Sequence, residues 1–177
     1  EKGITTSCDL NYRGKLWTPE KAQGVMRELL PLVDVCIAND EDAPSALGMT
    51  CVSGSLAHGI EERESYVEMA RQICETYGCR AVASVVRDVE STDEAAGDRH
   101  WFSPVHDVHV LEGVGAGDAF NAGLIHAYLH GFEPQDAIDY AIAASVLKLT
   151  VRGDANLVSE SEILSVAHSG GATRVSR

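Results

Sequence analysis

No apolar run in this sequence approaches the length of a membrane span, and no secretory leader is visible. Positive charge is scarce: 14 Lys and Arg stand against 27 Asp and Glu, a net charge of −13. Nucleic acid is therefore not an expected partner. An anionic substrate would have to be held by a few local cations or by backbone donors. Cysteine is sparse and unpaired in pattern. Cys8, Cys36, Cys51, Cys74 and Cys79 are odd in number and form no C-x-x-C motif. They read as reduced and mostly buried, which points to the cytoplasm. No Gly-Lys-Ser/Thr follows the glycines, so a Walker loop is excluded. There are no repeats and no linker, so one domain is expected over residues 1–168. There is no initiating methionine, and the chain reads as cut from the middle of something larger.

What is present is enough for a core: 177 residues, 45% of them hydrophobic. The most informative stretch is Gly113-Val114-Gly115-Ala116-Gly117-Asp118-Ala119-Phe120. Alternate glycines open onto an apolar pattern (Ala119, Phe120, Ala122, Leu124, Ile125, Ala127, Tyr128, Leu129) that reads as a buried or nearly buried helix. Glycines let backbone N–H groups crowd together, and the helix dipole adds partial positive charge at the same place. An anion site results, most naturally for a phosphate. It is not the dinucleotide fingerprint, because Asp118 stands where a third glycine would fall. A carboxylate is a poor phosphate ligand. A general base that deprotonates a hydroxyl attacking the phosphate explains it better. The competing readings are a bare turn and an aspartate that merely caps the helix.

Residues 5–10, 33–38, 81–86, 99–102 and 105–110 read as strands. Helices are expected over 19–30, 41–47, 60–77, from the glycine run to Gly131, over 134–149 and over 159–168. Residues 49–59 read as a small glycine- and serine-containing connection, 87–98 as an acidic polar loop, and 169–177 as a disordered tail. The alternation predicts an α/β fold: a doubly wound, mostly parallel sheet with helices on both faces. Ligands of such folds sit beyond the carboxyl ends of the strands. The polar residues follow this rule: Asp9, Asn11 and Arg13 after the first strand; Asn39, Glu41 and Asp42 after the second; Arg87 after the third; the glycine run after the last.

Gly115-Ala116-Gly117-Asp118 and Asn39-Asp40-Glu41-Asp42 resemble motifs of the ribokinase-like (PfkB) carbohydrate kinases, and the chain resembles the C-terminal half of that family. Asp9-Leu10-Asn11-Tyr12-Arg13 with Leu16-Trp17, and Gly153-Asp154-Ala155-Asn156, resemble the branch acting on the sugar acid 2-keto-3-deoxygluconate. The resemblance implies ATP-dependent phosphorylation of that acid to its 6-phosphate. Asp118 would be the base, and the N–H groups of Gly115, Ala116 and Gly117 the anion hole. Asn11 and Arg87 would lie near the nucleotide, Arg13 would meet the sugar acid or the phosphates, and Asp154 would hold a sugar hydroxyl. Asn39 and Asp42 would arrange water around Mg²⁺. It also implies a missing N-terminal half that carries the lid, homo-oligomers at full length, and apolar surface that makes this chain alone prone to associate.

Departures from the family pattern are Glu112, Gly113 and Val114 ahead of the glycines, Asp42 in place of a glutamate, and Ile142 in place of an asparagine. Rival functions are a kinase of a neutral sugar such as fructose or ribose, and a truncated non-catalytic nucleotide-binding module. Individual residues also have plain readings. Arg13 would pair with Asp9, Asp154 would belong to a turn, Asn39 to Asp42 would start a helix, and Arg87 reads more readily as a plain loop residue. His126 and His130, four apart on one helix, read as structural, and Trp17 and Trp101 as packing residues.

Overall fold

The computed structural model describes residues 3–39, 41–49, 63–86, 91–96 and 99–171. The chain forms two compact units, Glu1–Asp88 with Asp93–His100 and Val89–Thr92 with Trp101–Arg177.

In the first unit, β1 (Ser7–Asp9), β2 (Val35–Ile37) and β3 (Ala81–Val86) lie parallel. Asp9 pairs with Ile37, and Ile37 with Ala83, so β1 and β2 end level while β3 runs three residues further, to Val86. Asp34 fastens the opposite end. Its carboxylate accepts from Thr6 N at 2.9 Å and from Arg80 Nε at 2.9 Å. The Thr6 amide, then Arg80, holds that carboxyl below its usual range. Helix α1 (Pro19–Leu29) starts as its sequence dictates: Thr18 accepts from Lys21 N, and proline occupies the first turn. Helix α2 (Asp42–Leu47) stops at Gly48, which takes φ +70°. Helix α3 (Arg63–Tyr77) buries Tyr66, Met69, Ala70 and Ile73, one stripe at helical spacing, against a core that includes Leu30, Cys36 and Val82. Trp17 packs against the same core.

The strand order continues through β4 (Ser91–Ala96) and β5 (Arg99–Phe102). The acidic loop expected over 87–98 is thus corrected: a strand runs through it. Ser-Thr-Asp-Glu-Ala-Ala carries no burial signal, but strands form through ladder pairing with neighbours, and local polarity does not report that. The strand expected over 105–110 is corrected in the other direction. Residues 103–110 form no strand, although His106 is buried among them. Valines favour a strand locally, but a strand forms only where a neighbour pairs with it.

In the second unit, α4 (Ala116–Leu129), α5 (Pro134–Leu149) and α6 (Glu160–Ala167) pack together. Helix α5 is buried almost all round, from Ala137 to Lys148. Helix α4 crosses it closely at Gly123: a Cβ there would stand 2.9 Å from the Ala141 Cα. The expectation of a nearly buried α4 is corrected. Only Ala119, Phe120, Gly123 and Ala127 are buried, while Tyr128 and Leu129 are exposed. Ser159 and Glu162 form a reciprocal capping box at α6. Of the tail expected over 169–177, residues 172–177 lie outside the described residues, as does most of the 49–59 connection.

Candidate active site

The first group of predicted residues gathers where β1 and β2 end. Asn11 takes φ +39°, a left-handed conformation tolerated by asparagine, and its N–H donates to Asp9 Oδ1 at 3.1 Å. Asn39 Oδ1 accepts from the N–H groups of Glu41 at 3.0 Å and Asp42 at 2.7 Å, so Asn39 caps α2. Asp42 is buried, and its Oδ1 accepts from Tyr12 N at 3.0 Å. The loop after β1 and the helix after β2 are thereby tied together. Arg13 is exposed, with Nη1 donating to the Tyr12 carbonyl at 2.9 Å. Arg87 and Asp40 lie outside the described residues.

This bonding bears on the Mg²⁺ assignment. The Asn39 Oδ1 is filled by two amides, so it does not fit as a direct metal ligand, while Asp42 gives one of its two carboxylate oxygens to the Tyr12 amide. Among the described residues no group of three or more His, Cys, Asp or Glu is placed to hold a metal ion. Asn39→Ala is expected to cost about 1 kcal/mol of stability through the lost cap, read as a shifted midpoint in urea unfolding.

The second group is built around the start of α4. The helix begins at Ala116 with Gly115 as its N-cap at φ +81°. Asp118 is therefore the third helical residue and not the cap, so the capping explanation fails. Its carboxylate is exposed. Among the described residues the N–H groups of Gly115, Gly117 and Asp118 have no acceptor, and Ala116 N–H reaches only the Gly113 carbonyl, at 3.5 Å. First-turn amides of a helix have no intrahelical partner, and among the described residues nothing else fills those of Gly117 and Asp118.

The glycine turn rests on the segment after α5. The N–H groups of Leu111 and Glu112 donate to the Leu149 carbonyl at 2.8 and 3.2 Å. Gly153 N–H donates to Glu112 Oε2 at 2.9 Å, and Asn156 Nδ2 to the Ala144 carbonyl at 3.3 Å. A Cβ on Gly115 would meet the Asp154 carbonyl oxygen at 2.5 Å and Lys148 Cε at 3.2 Å. The structure therefore brings Asp154 to the glycine turn through its backbone, with its side chain exposed.

Two residues of this arrangement were given no role by the sequence reading. Glu112 stood out only as a departure from the family pattern, yet it holds the Gly153 turn. Lys148 was passed over altogether. Its signal is a single cation inside the otherwise apolar end of α5, Ile142-Ala143-Ala144-Ser145-Val146-Leu147-Lys148-Leu149.

His126 and His130 stack at 4.0 Å between ring centroids, and His126 also stacks on Tyr140 at 5.1 Å. Packing accounts for them. Cys36 and Cys79 are buried, Cys8 and Cys74 half-buried. Burial pushes the Cys79 thiol up to about 11 and Cys36 higher still, so neither is a nucleophile. Among the described residues no helix is long and apolar enough to cross a membrane.

A glycine turn with amides that have no acceptor among the described residues, followed by a carboxylate in an α/β chain, belongs to a recognisable class. The chain belongs to the PfkB family of carbohydrate kinases, whose family model matches residues 2–161. It is 29% identical over 97% of its length to the 2-dehydro-3-deoxygalactonokinase of Haloferax volcanii, covering 50% of that protein. It superposes on the crystal structure of the 2-dehydro-3-deoxygluconokinase of Thermotoga maritima with a TM-score of 0.85 at 37% identity, over 94% of this chain and 50% of the other. A ribokinase II from E. coli, crystallised with ATP and Mg²⁺, shares the fold at a TM-score of 0.71 and 20% identity, over 93% of this chain and 48% of the other. The fold is thus ribokinase-like, a parallel sheet with helices on both sides. The chain spans about half the length of the relatives it matches.

Proposed function

We propose that this chain carries the phosphoryl-transfer end of an ATP-dependent kinase acting on a 2-keto-3-deoxy sugar acid. The observation that supports this reading most is the exposed Asp118 carboxylate beside the unfilled amides of Gly115 and Gly117. A transferring phosphoryl group spreads negative charge over its equatorial oxygens, and fixed N–H donors stabilise that charge without reorganising. Asp118 takes the proton of the attacking sugar hydroxyl. An alcohol is a weak nucleophile near neutral pH, so removing its proton during attack lowers the barrier. Mg²⁺ enters as part of the Mg·ATP substrate, keeping most of its ligand shell as water and phosphate oxygen. Asn39 and Asp42 act on it at most through water. The H. volcanii and T. maritima relatives support a sugar acid as acceptor, one being a kinase of the galacto and one of the gluco epimer.

Arg13 gives the acid its counter-charge, and its exposed guanidinium suits a carboxylate. Asn11 and Arg87 serve the nucleotide, and the Asp154 carboxylate takes a sugar hydroxyl.

The test is ADP release by the intact gene product with 2-keto-3-deoxygluconate, 2-keto-3-deoxygalactonate, fructose and ribose as acceptors. Turnover with the acids and not with the neutral sugars is expected. Arg13→Ala should raise KM for the acid about tenfold or more, the loss of one charge-assisted contact, and leave any neutral-sugar activity unchanged. Preferred turnover of fructose or ribose, untouched by Arg13→Ala, defeats the sugar-acid reading. Nucleotide binding without any acceptor turnover defeats the kinase reading.

A further inference from the structure

Lys148 is among the most completely buried side chains of the protein, with no exposed area. Its ammonium donates to the Val151 carbonyl at 3.1 Å. An ammonium has three donors, and among the described residues no carboxylate pairs with this one. A buried charge without a counter-charge is expensive, which is why lysine is rarely found fully buried. Position at the C-terminal end of α5 offsets part of that cost through the helix dipole. It does not explain why a cation stands there and not a leucine.

Its location supplies a reason. Lys148 Cε lies 3.2 Å from where a Cβ on Gly115 would be, and the Asp154 carbonyl flanks the same point. The side chain therefore passes against the turn, whose Gly115 and Gly117 amides have no acceptor among the described residues. Its one acceptor, Val151, begins the segment that leads through Gly153 to Asp154. A single group thus joins the two backbone strips that build the anion site. In a protein of net charge −13, that site has few cations to draw on.

We propose that Lys148 is a positioning residue for phosphoryl transfer. Its buried ammonium holds the Val151–Asp154 segment against the glycine turn. It also gives the amide cluster a fixed positive charge at its back, so that the bound phosphoryl group supplies the missing counter-charge. The inference rests on the kinase reading for its catalytic part, but not for its anion-binding part.

The experiment uses the intact gene product and three variants: Lys148→Met, which keeps the length and removes the charge, Lys148→Arg and Lys148→Ala. Lys148→Met is expected to weaken binding of inorganic tripolyphosphate several-fold, and to lower kcat about tenfold or more with a smaller change in the acceptor KM. Lys148→Arg should recover part of the loss. Millimolar methylammonium or ethylammonium should restore turnover to Lys148→Ala, and the neutral alcohol of the same size should not. A purely structural lysine would show no such selectivity. Lys148→Met with parental tripolyphosphate affinity and kcat overturns the proposal. So does equal rescue by amine and alcohol. If Lys148→Met fails to fold, the amine and alcohol arms on Lys148→Ala decide. If the parent phosphorylates no acceptor, the kinase reading fails, and tripolyphosphate affinity, with and without amine, still decides the role of Lys148.

Discussion

Asp118→Asn is expected to remove nearly all turnover, a fall of about 10²–10⁴-fold, the usual contribution of a positioned general base. The amide keeps the size of the side chain but does not accept the hydroxyl proton. Stability should barely move, because Asp118 is exposed and is not the helix cap. Affinity for Mg·ATP should stay within a small factor of the parent, since the amides that meet phosphate are backbone groups. Steady-state kinetics, with nucleotide titration of the same preparation, separate the two effects. Retained turnover would assign the aspartate to local structure and leave the amide cluster as a binding site alone.

The second large effect is expected at Gly115. A left-handed φ of +81° disfavours any side chain, and a Cβ would press on the Asp154 carbonyl at 2.5 Å. Gly115→Ala should therefore cost about 1–3 kcal/mol in backbone strain, and a similar amount again in overpacking. Either relief, a shift of the 151–154 segment or of the turn itself, moves the amides. Displacements of this size cost about 10² in rate. Gly117→Ala is the control. No atom lies within 4 Å of its Cβ position, and the residue is already helical. Its stability should hold or rise slightly, while turnover falls because the methyl group occupies space that a phosphoryl group would approach. Thermal unfolding measured beside kcat distinguishes the pair. Equal loss of stability in both variants would mean that the turn is merely tight packing.

Much of this was legible in the sequence, for stated reasons. Helix α1 announced itself through Thr18-Pro19, α2 through its stop at Gly48, and α5 through a mostly apolar pattern after Pro134. These are local signals, and local chemistry decided the outcome. Strand β4 was not legible, because Ser91–Ala96 owes its conformation to ladder neighbours and not to its own side chains. Residues 105–110 failed for the converse reason: three valines made a strand plausible, but no strand forms there.

The site divides in the same way. Asp118 and the glycines lie together in sequence and could be read together. Asn39 to Asp42 also had a plain reading in the sequence as a helix start, and Asn39 Oδ1 accepts two amides where α2 begins. Lys148 lies 30 residues or more from Gly115 along the chain, and its meaning comes only from where α5 ends against the turn. A lone lysine in an apolar helix was the available clue.

Backbone amide shifts, followed by ¹⁵N–¹H NMR while inorganic phosphate and then Mg·ATP are added, test the phosphate cradle most directly. The expected result is saturable movement of the Gly115, Ala116, Gly117 and Asp118 resonances, stronger with Mg·ATP and preserved in Asp118→Asn. If those four stay fixed while resonances elsewhere report nucleotide binding, the glycine turn is not where the phosphoryl group is held.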